Sequence, residues 1–243
     1  APSAEALNEG YRAVVAEIAP MRAQLEDSIA SMETLQSSLS DNDDKEAASQ
    51  VVTAARSRLN MLDAGVNIIE ESLMATEAFL KARSGWNAVI NADAAIREAT
   101  ALAEEMSKEN ILASQAKGTE ALAFLEEAQQ DFSQAEAAYP GLDLAAFEAY
   151  VVKRMESQQA ALAADDAYLS RNKEELEAQN SRYNALEEEA AAMAQELGED
   201  DPEQIVALRF YKEIEADQGA YEAERLKAGN ADAFLREYLG TAS

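Results

Sequence analysis

The most constraining feature of this sequence is a run of 56 residues, Leu142 to Leu197, that contains neither glycine nor proline. The break Tyr139-Pro140-Gly141 precedes the run, and Asp143 is placed to act as an N-cap. Gly198 follows the run, as expected for a helix end in left-handed geometry. One continuous helix of this length would reach about 84 Å, since each residue adds about 1.5 Å. The run therefore predicts one long helix, or two helices broken near 170–172.

Apolar residues recur every seven positions within this run, as they do on a helix that packs along one seam. The recurring residues are Met155, Leu162, Leu169, Leu176, Tyr183, Ala190 and Leu197. The second seam position is polar in the middle of the run, where Gln158, Asp165 and Asn172 stand. Half a seam is too little for an isolated coiled coil, so we expect the run to lie on a helical body. Asn172 with Glu175 would cap the second helix of a broken run.

The composition favours helices throughout the chain. Alanine, glutamate, leucine, glutamine and lysine are strong helix formers, and only four prolines and nine glycines interrupt them. No long alternation of β-branched and aromatic residues marks a strand. The sequence therefore predicts an all-α fold, either an antiparallel long-helix bundle or a helical-hairpin array of about six to seven helices.

Apolar spacings of three and four residues divide the rest of the chain into helical segments. Pro20 is expected to kink the first segment, and Ser84-Gly85 to separate the second from the third. The predicted segments are 4–38, 45–82, 86–106, 107–138, 202–229 and a short terminal helix after residue 230. Ser107 marks the start of the fourth segment, and Asp201 is the predicted N-cap before Pro202. We group residues 1–138 as an N-terminal helical bundle and 139–243 as a C-terminal long helical hairpin packed on it. One continuous domain is the alternative.

One short fragment shows a repeat-like pattern. Ala121, Leu125 and Ala128 have the small–large–small spacing of a helix, and the fragment resembles the second helix of a tetratricopeptide repeat. The resemblance implies an irregular array of helical hairpins like that of tetratricopeptide-repeat proteins. It covers only these residues, because the other consensus positions do not follow at the 34-residue period.

Charge and missing residue types exclude several functions. The formal net charge is −27, from 47 acidic and 20 basic residues, and such a field repels nucleic acid and anionic lipid. The chain has no cysteine and no histidine, which removes thiol and histidine catalysis and most metal sites. A calcium loop counted from Asp41 fails, because Lys45 and Glu46 occupy its fifth and sixth positions. We therefore predict a protein that is not an enzyme and uses no cofactor or metal.

Carboxylates and tyrosines are the remaining candidates for a partner or ligand surface. The candidate residues are Tyr150, Asp165, Asp166, Tyr168, Tyr183, Tyr211 and Tyr221. If the side of the helix that carries the two aspartates faced another helix, it would form a polar lane able to hold a cation. We favour a solvated stripe, because buried unpaired carboxylates are unfavourable. Tyrosines filling gaps between helices are similarly favoured over a peptide groove, and Trp86 is predicted to be a structural wedge.

These features favour a non-enzymatic helical scaffold or protein-interaction module with another protein as its partner. The alternative is a binding protein for a cation or a basic peptide, using the acidic, tyrosine-rich C-terminal helices. The sequence begins Ala1-Pro2-Ser3-Ala4 and contains no apolar stretch long enough to span a membrane. We expect an exported protein, periplasmic, cell-surface or secreted, and a lipid anchor preceding Ala1 would give the same sequence. The oligomeric state is left open.

Overall fold

Six helices account for nearly all of the computed structural model, which describes residues 4–198 and 200–241. The helices are α1 (Ala4–Ser38), α2 (Asn42–Glu104), α3 (Lys108–Ala138), α4 (Ala145–Leu169), α5 (Lys173–Leu197) and α6 (Pro202–Tyr238). The described residues contain no strand, and the predicted all-α class is confirmed. The long run forms two helices, with Asn172 as the N-cap of α5, accepting a hydrogen bond from the Glu175 backbone N–H at 3.2 Å.

Two predicted breaks are wrong, because α2 continues through Ser84-Gly85 and α6 continues through Gly229. Gly85 is a packing position: a Cβ there would lie 2.8 Å from the Phe132 ring. At Gly229 a Cβ would meet nothing within 4 Å. A single glycine weakens a helix by only about 1 kcal/mol, which the surrounding helix formers offset.

The chain forms two compact units, and the division falls within α2 and within α6. Unit 1 comprises the residues up to Thr76 together with those from Phe210 onward, and unit 2 is Glu77–Arg209. The boundary that the sequence favours, after Ala138, lies inside unit 2, in the turn between α3 and α4. The contacts therefore divide the chain after Thr76 and after Arg209, whereas the sequence favours a division after Ala138.

Unit 1 contains α1, the first part of α2 and most of α6. Arg22 of α1 pairs with Asp63 of α2 at 2.7 Å, and Glu33 pairs with Arg56, so the two helices run antiparallel. Arg58 of α2 pairs with Asp232 of α6 at 2.6 Å. Tyr238 also contacts Asp44, so α6 runs antiparallel to α2.

Unit 2 is built around two consecutive helical hairpins, α3–α4 and α4–α5. Its core includes the fully buried side chains of Phe132, Phe147 and Leu125. The Phe132 and Phe147 rings lie 6.0 Å apart, which joins α3 to α4. Short connections of three to six residues enforce these antiparallel pairs.

Candidate functional site

A stripe of exposed apolar side chains runs along α1 in unit 1. Leu7, Val14 and Met21 stand seven residues apart, and their side chains are 43%, 44% and 58% exposed. Among the α1 residues whose side chains are described, Ile29 alone is buried. Contiguous apolar surface of this kind marks contact sites on proteins.

The stripe leads into a groove of about 530 Å³ between the helices of unit 1, which we call the unit 1 groove. It is lined by Met21, Gln24, Leu25 and Ser28 of α1, Arg58, Met61 and Leu62 of α2, and Tyr221 of α6. Methionines line surfaces that adapt to different apolar partners, because their side chains are flexible and polarizable. The groove is therefore a mostly apolar recess that can adapt to an apolar partner.

Arg58 is the charged residue that lines the unit 1 groove, and Arg22 and Asp63 follow the lining residues Met21 and Leu62 in the sequence. Arg58 is neutralised by Asp232, while the single charge of Arg22 meets two carboxylates, those of Asp63 and Glu26. The hydrogen bond and charge of Asp63 raise the pKa of Arg22, so the guanidinium stays ionised. A ligand carrying basic side chains beside an apolar face fits this distribution.

The two candidate tyrosines of α6 lie in unit 1 and have different surroundings. Tyr221 is half-buried in the wall of the unit 1 groove. Tyr211 is 66% exposed, and its ring lies 5.8 Å from that of Phe210. Tyr221 therefore belongs to a recess, whereas Tyr211 stands on an open surface.

Tyr150 and Tyr183 meet in unit 2, in a cleft of about 450 Å³ between α2, α4 and α5 that we call the unit 2 cleft. At its base lies Arg154, only 8% exposed. Its guanidinium donates hydrogen bonds to Asp93 at 2.6 Å and to both oxygens of Glu187 at 2.7 Å. No local motif in the sequence joins these three charged residues, because they stand on three different helices.

Burial governs the ionisation of this cleft. Burial lowers the pKa of Arg154, but the charges of Asp93 and Glu187 more than offset it, and the net pKa is raised. Burial raises the pKa of Tyr150 and of Tyr183, with nearby carboxylates adding to the shift. Both phenols therefore stay neutral near pH 7, where they can hydrogen-bond or pack against a ligand.

The two candidate aspartates of α4 are adjacent in the sequence but differ in burial. Asp165 is buried at 8% exposure, facing α3, so its predicted place on a solvated stripe is wrong. Ser114 donates a hydrogen bond to it at 2.8 Å, and packing of α3 over this face of α4 explains the burial. Asp166 is exposed and accepts a 2.6 Å hydrogen bond from Gln115.

Tyr168 and Trp86 have structural contacts in unit 2. The Tyr168 hydroxyl donates a hydrogen bond to the carbonyl of Met106, in the turn after α2. Trp86 is half-buried in α2, and its ring meets Phe147 of α4 edge-on at 5.6 Å. These contacts join helices of unit 2, and neither side chain lines the groove or the cleft described above.

Within the described ranges, no group of three or more acidic side chains is arranged to hold a metal ion. No helix there is both long enough and apolar enough to cross a bilayer. Comparison with protein-family models, curated proteins and solved structures finds no match to this chain. Function must therefore be inferred from the surfaces, cavities and charges of the molecule itself.

Proposed function

We propose that this chain is a non-enzymatic protein-interaction module whose unit 1 groove receives the apolar face of a partner helix. The observation that carries the proposal is the open apolar groove, continuous with exposed large side chains on α1. Met21 belongs to both the groove and the exposed stripe. Amphipathic helices bind such grooves through apolar residues spaced i, i+3, i+4 and i+7.

The negative charge of the protein favours one kind of partner helix. The whole chain carries −27, and the ion pairs of Arg22 and Arg58 include three carboxylates for two arginines, so a partner with lysine or arginine beside its apolar face is attracted and oriented. An acidic helix of the same apolar pattern would be repelled. The partner that we propose is therefore a basic amphipathic helix.

The test is fluorescence anisotropy with a labelled leucine–lysine peptide that places its leucines at i, i+3, i+4 and i+7. A peptide of the same composition in scrambled order controls for charge attraction, at about 0.15 M salt to screen long-range effects. We expect the amphipathic peptide to bind at least about tenfold more tightly than the scrambled one. Equal affinities would mean that the protein recognises charge alone, and would overturn the proposal.

A pair of variants locates the binding site. Met21→Glu places a charge in the groove and should weaken binding of the amphipathic peptide by about tenfold or more, because that charge would be desolvated in the complex. Leu112→Glu changes a side chain of similar exposure, 48%, on α3 of unit 2 and should leave the affinity unchanged. If Leu112→Glu weakened binding of the peptide more than Met21→Glu did, the groove would be excluded as the binding site.

A second candidate function is recognition of a cation or basic peptide by the unit 2 cleft. Its charged and tyrosine lining consists of Tyr150, Tyr183, the carboxylates Asp93, Glu104 and Glu187, and the guanidiniums of Arg97 and Arg154. The cleft already holds one guanidinium, that of Arg154, between two of these carboxylates. Exposed Glu104 is the carboxylate that a ligand would meet first.

The test for the second candidate is a thermal upshift with spermidine or arginine amide at constant ionic strength. The upshift should disappear in Glu104→Gln and persist in Glu188→Gln, which alters an exposed glutamate of α5 outside the cleft. Equal upshifts in both variants would assign the effect to general charge screening.

An extracytoplasmic location is part of the proposal for the whole protein. The absence of cysteine makes folding independent of the redox state of the compartment. Fractionation of the native host, followed by immunodetection of the chain, tests the location. Recovery with cytoplasmic markers would contradict it.

A further inference from the structure

A small polar pocket lies inside unit 2, where α2, α3, α4 and α5 come together, and we call it the Asp165 pocket. Its volume is about 110 Å³, room for a small ion with some water. Six oxygen-bearing side chains line it: Thr100, Ser114, Gln158, Asp165, Asn180 and Tyr183. Ser114, Gln158 and Asp165 form a buried inner wall, while Thr100 and Asn180 are exposed and provide access.

The carboxylate of Asp165 lacks a cationic partner among the described side chains. Ser114 donates to its Oδ2 at 2.8 Å, and no lysine or arginine forms an ion pair with it. The neighbouring charge is that of Asp166, which is repulsive. A buried carboxylate in this position is stabilised when a positive charge enters the pocket.

Gln158 supplies a second polar group of the inner wall. Its side chain is 2% exposed and lines the pocket. Gly118 of α3 allows this placement, because a Cβ at residue 118 would collide with Gln158 Nε2. The amide oxygen of Gln158 is a neutral oxygen that can coordinate a cation in the pocket.

We propose that the Asp165 pocket binds one small monovalent cation, such as Na⁺ or K⁺, through the Asp165 carboxylate and neutral oxygens of the surrounding side chains. One carboxylate balances one positive charge. A divalent ion normally requires more anionic ligands, and Asp165 is the only acidic residue that lines the pocket. The site is separate from the unit 1 groove, so either proposal can fail alone.

The experiment compares melting temperatures of the full chain in KCl, NaCl and tetramethylammonium chloride at equal ionic strength. Equal ionic strength removes the general effect of screening a net charge of −27, and tetramethylammonium lacks the small charged surface that oxygens can coordinate. We expect K⁺ or Na⁺ to raise Tm by about 2–4 °C over tetramethylammonium, the shift for one site filled to about four-fifths in a chain of this length.

Two substitutions at neighbouring residues test whether the cation-dependent shift in Tm arises at Asp165. Asp165→Asn should abolish the cation-dependent shift, whereas Asp166→Asn, at an exposed carboxylate one residue away, should retain it. Equal melting temperatures of the wild type in all three salts would overturn the proposal, as would a shift that survives Asp165→Asn. If Asp165→Asn does not fold, Ser114→Ala replaces it and should reduce the shift by removing one oxygen; an unchanged shift would then contradict the site.

Discussion

Ser114 of α3 and Asp165 of α4 are joined by a 2.8 Å hydrogen bond between two buried side chains. Gln115 and Asp166, the next residue on each helix, form the matching exposed pair at 2.6 Å. The α3–α4 interface therefore carries one polar contact inside and one at its edge. The inner contact leaves a carboxylate in a position where its ionisation opposes folding.

Asp165→Asn should stabilise the protein at neutral pH, in tetramethylammonium buffer where no small cation competes. Burial, the largest cause, raises the pKa of Asp165 in the folded state above its unfolded value of about 4. Below about pH 4, Asp165 is protonated in both the folded and the unfolded state, so the full free energy of unfolding is present. That stability is lost as the pH rises through the raised pKa of the folded state. Urea unfolding at several pH values measures the difference.

The expected gain of Asp165→Asn is thus absent below about pH 4 and largest near pH 7. The amide oxygen that this substitution introduces can still accept the hydrogen bond from Ser114, so the contact between α3 and α4 is kept. Asp166→Asn is the matched control, the same substitution at an exposed side chain one residue away. A gain of the same size at every pH would refute the burial of an ionising group at residue 165.

Arg154→Met should destabilise unit 2 by about 3 kcal/mol. The substitution leaves Asp93 and Glu187 without their shared cation, and breaking a buried pair has effects at or above this size. The estimate is at the lower end because those carboxylate side chains are 32% and 30% exposed. Chemical denaturation gives the free energy of unfolding.

The matched control is Arg83→Met. Its side chain is 61% exposed and its Nε lies 3.5 Å from Glu203, so its removal should change stability by no more than about 0.5 kcal/mol. Similar losses for the two variants would show that Arg154 contributes no more than a surface arginine.

Gly118→Ala and Gly219→Ala should change stability in opposite directions. A Cβ at residue 118 would lie 2.8 Å from Leu162 Cδ2 and would displace Gln158, so we expect a loss of about 1–3 kcal/mol. At residue 219 a Cβ would meet nothing within 4 Å, and the better helix propensity of alanine should add about 0.5–1 kcal/mol. Thermal melts of both variants measure the two changes in stability. Higher stability of both variants would mean that α3 and α4 lie farther apart than the structure shows.

Local chemistry made several helix starts predictable. Ser107 and Asn172 accept hydrogen bonds from the backbone N–H groups three residues on, and Asp201 accepts one from Glu203 just after Pro202. Each of these contacts lies within a few residues, so the sequence contains all of its parts. The helix break predicted at Gly85 was wrong because the ring that packs against this glycine, that of Phe132, is distant in the sequence.

The candidate sites were less predictable because they depend on which helices meet. Asp165 reads as a solvated residue until α3 covers it, and the pairing of Arg154 with Asp93 requires α2 beside α4. The periodic apolar residues of α1 were readable, but the sequence does not say that so many of them stay exposed. Helix partners are set by long-range packing, which local patterns do not encode.

Hydrogen–deuterium exchange of the full chain, with and without the leucine–lysine amphipathic peptide, shows which helices the peptide covers. We predict slower exchange in 18–28 of α1, 58–65 of α2 and 217–225 of α6, with 77–209 unchanged, because the peptide would cover the unit 1 groove. Slower exchange confined to 77–209, or no change at a peptide concentration that saturates the anisotropy signal, would contradict it.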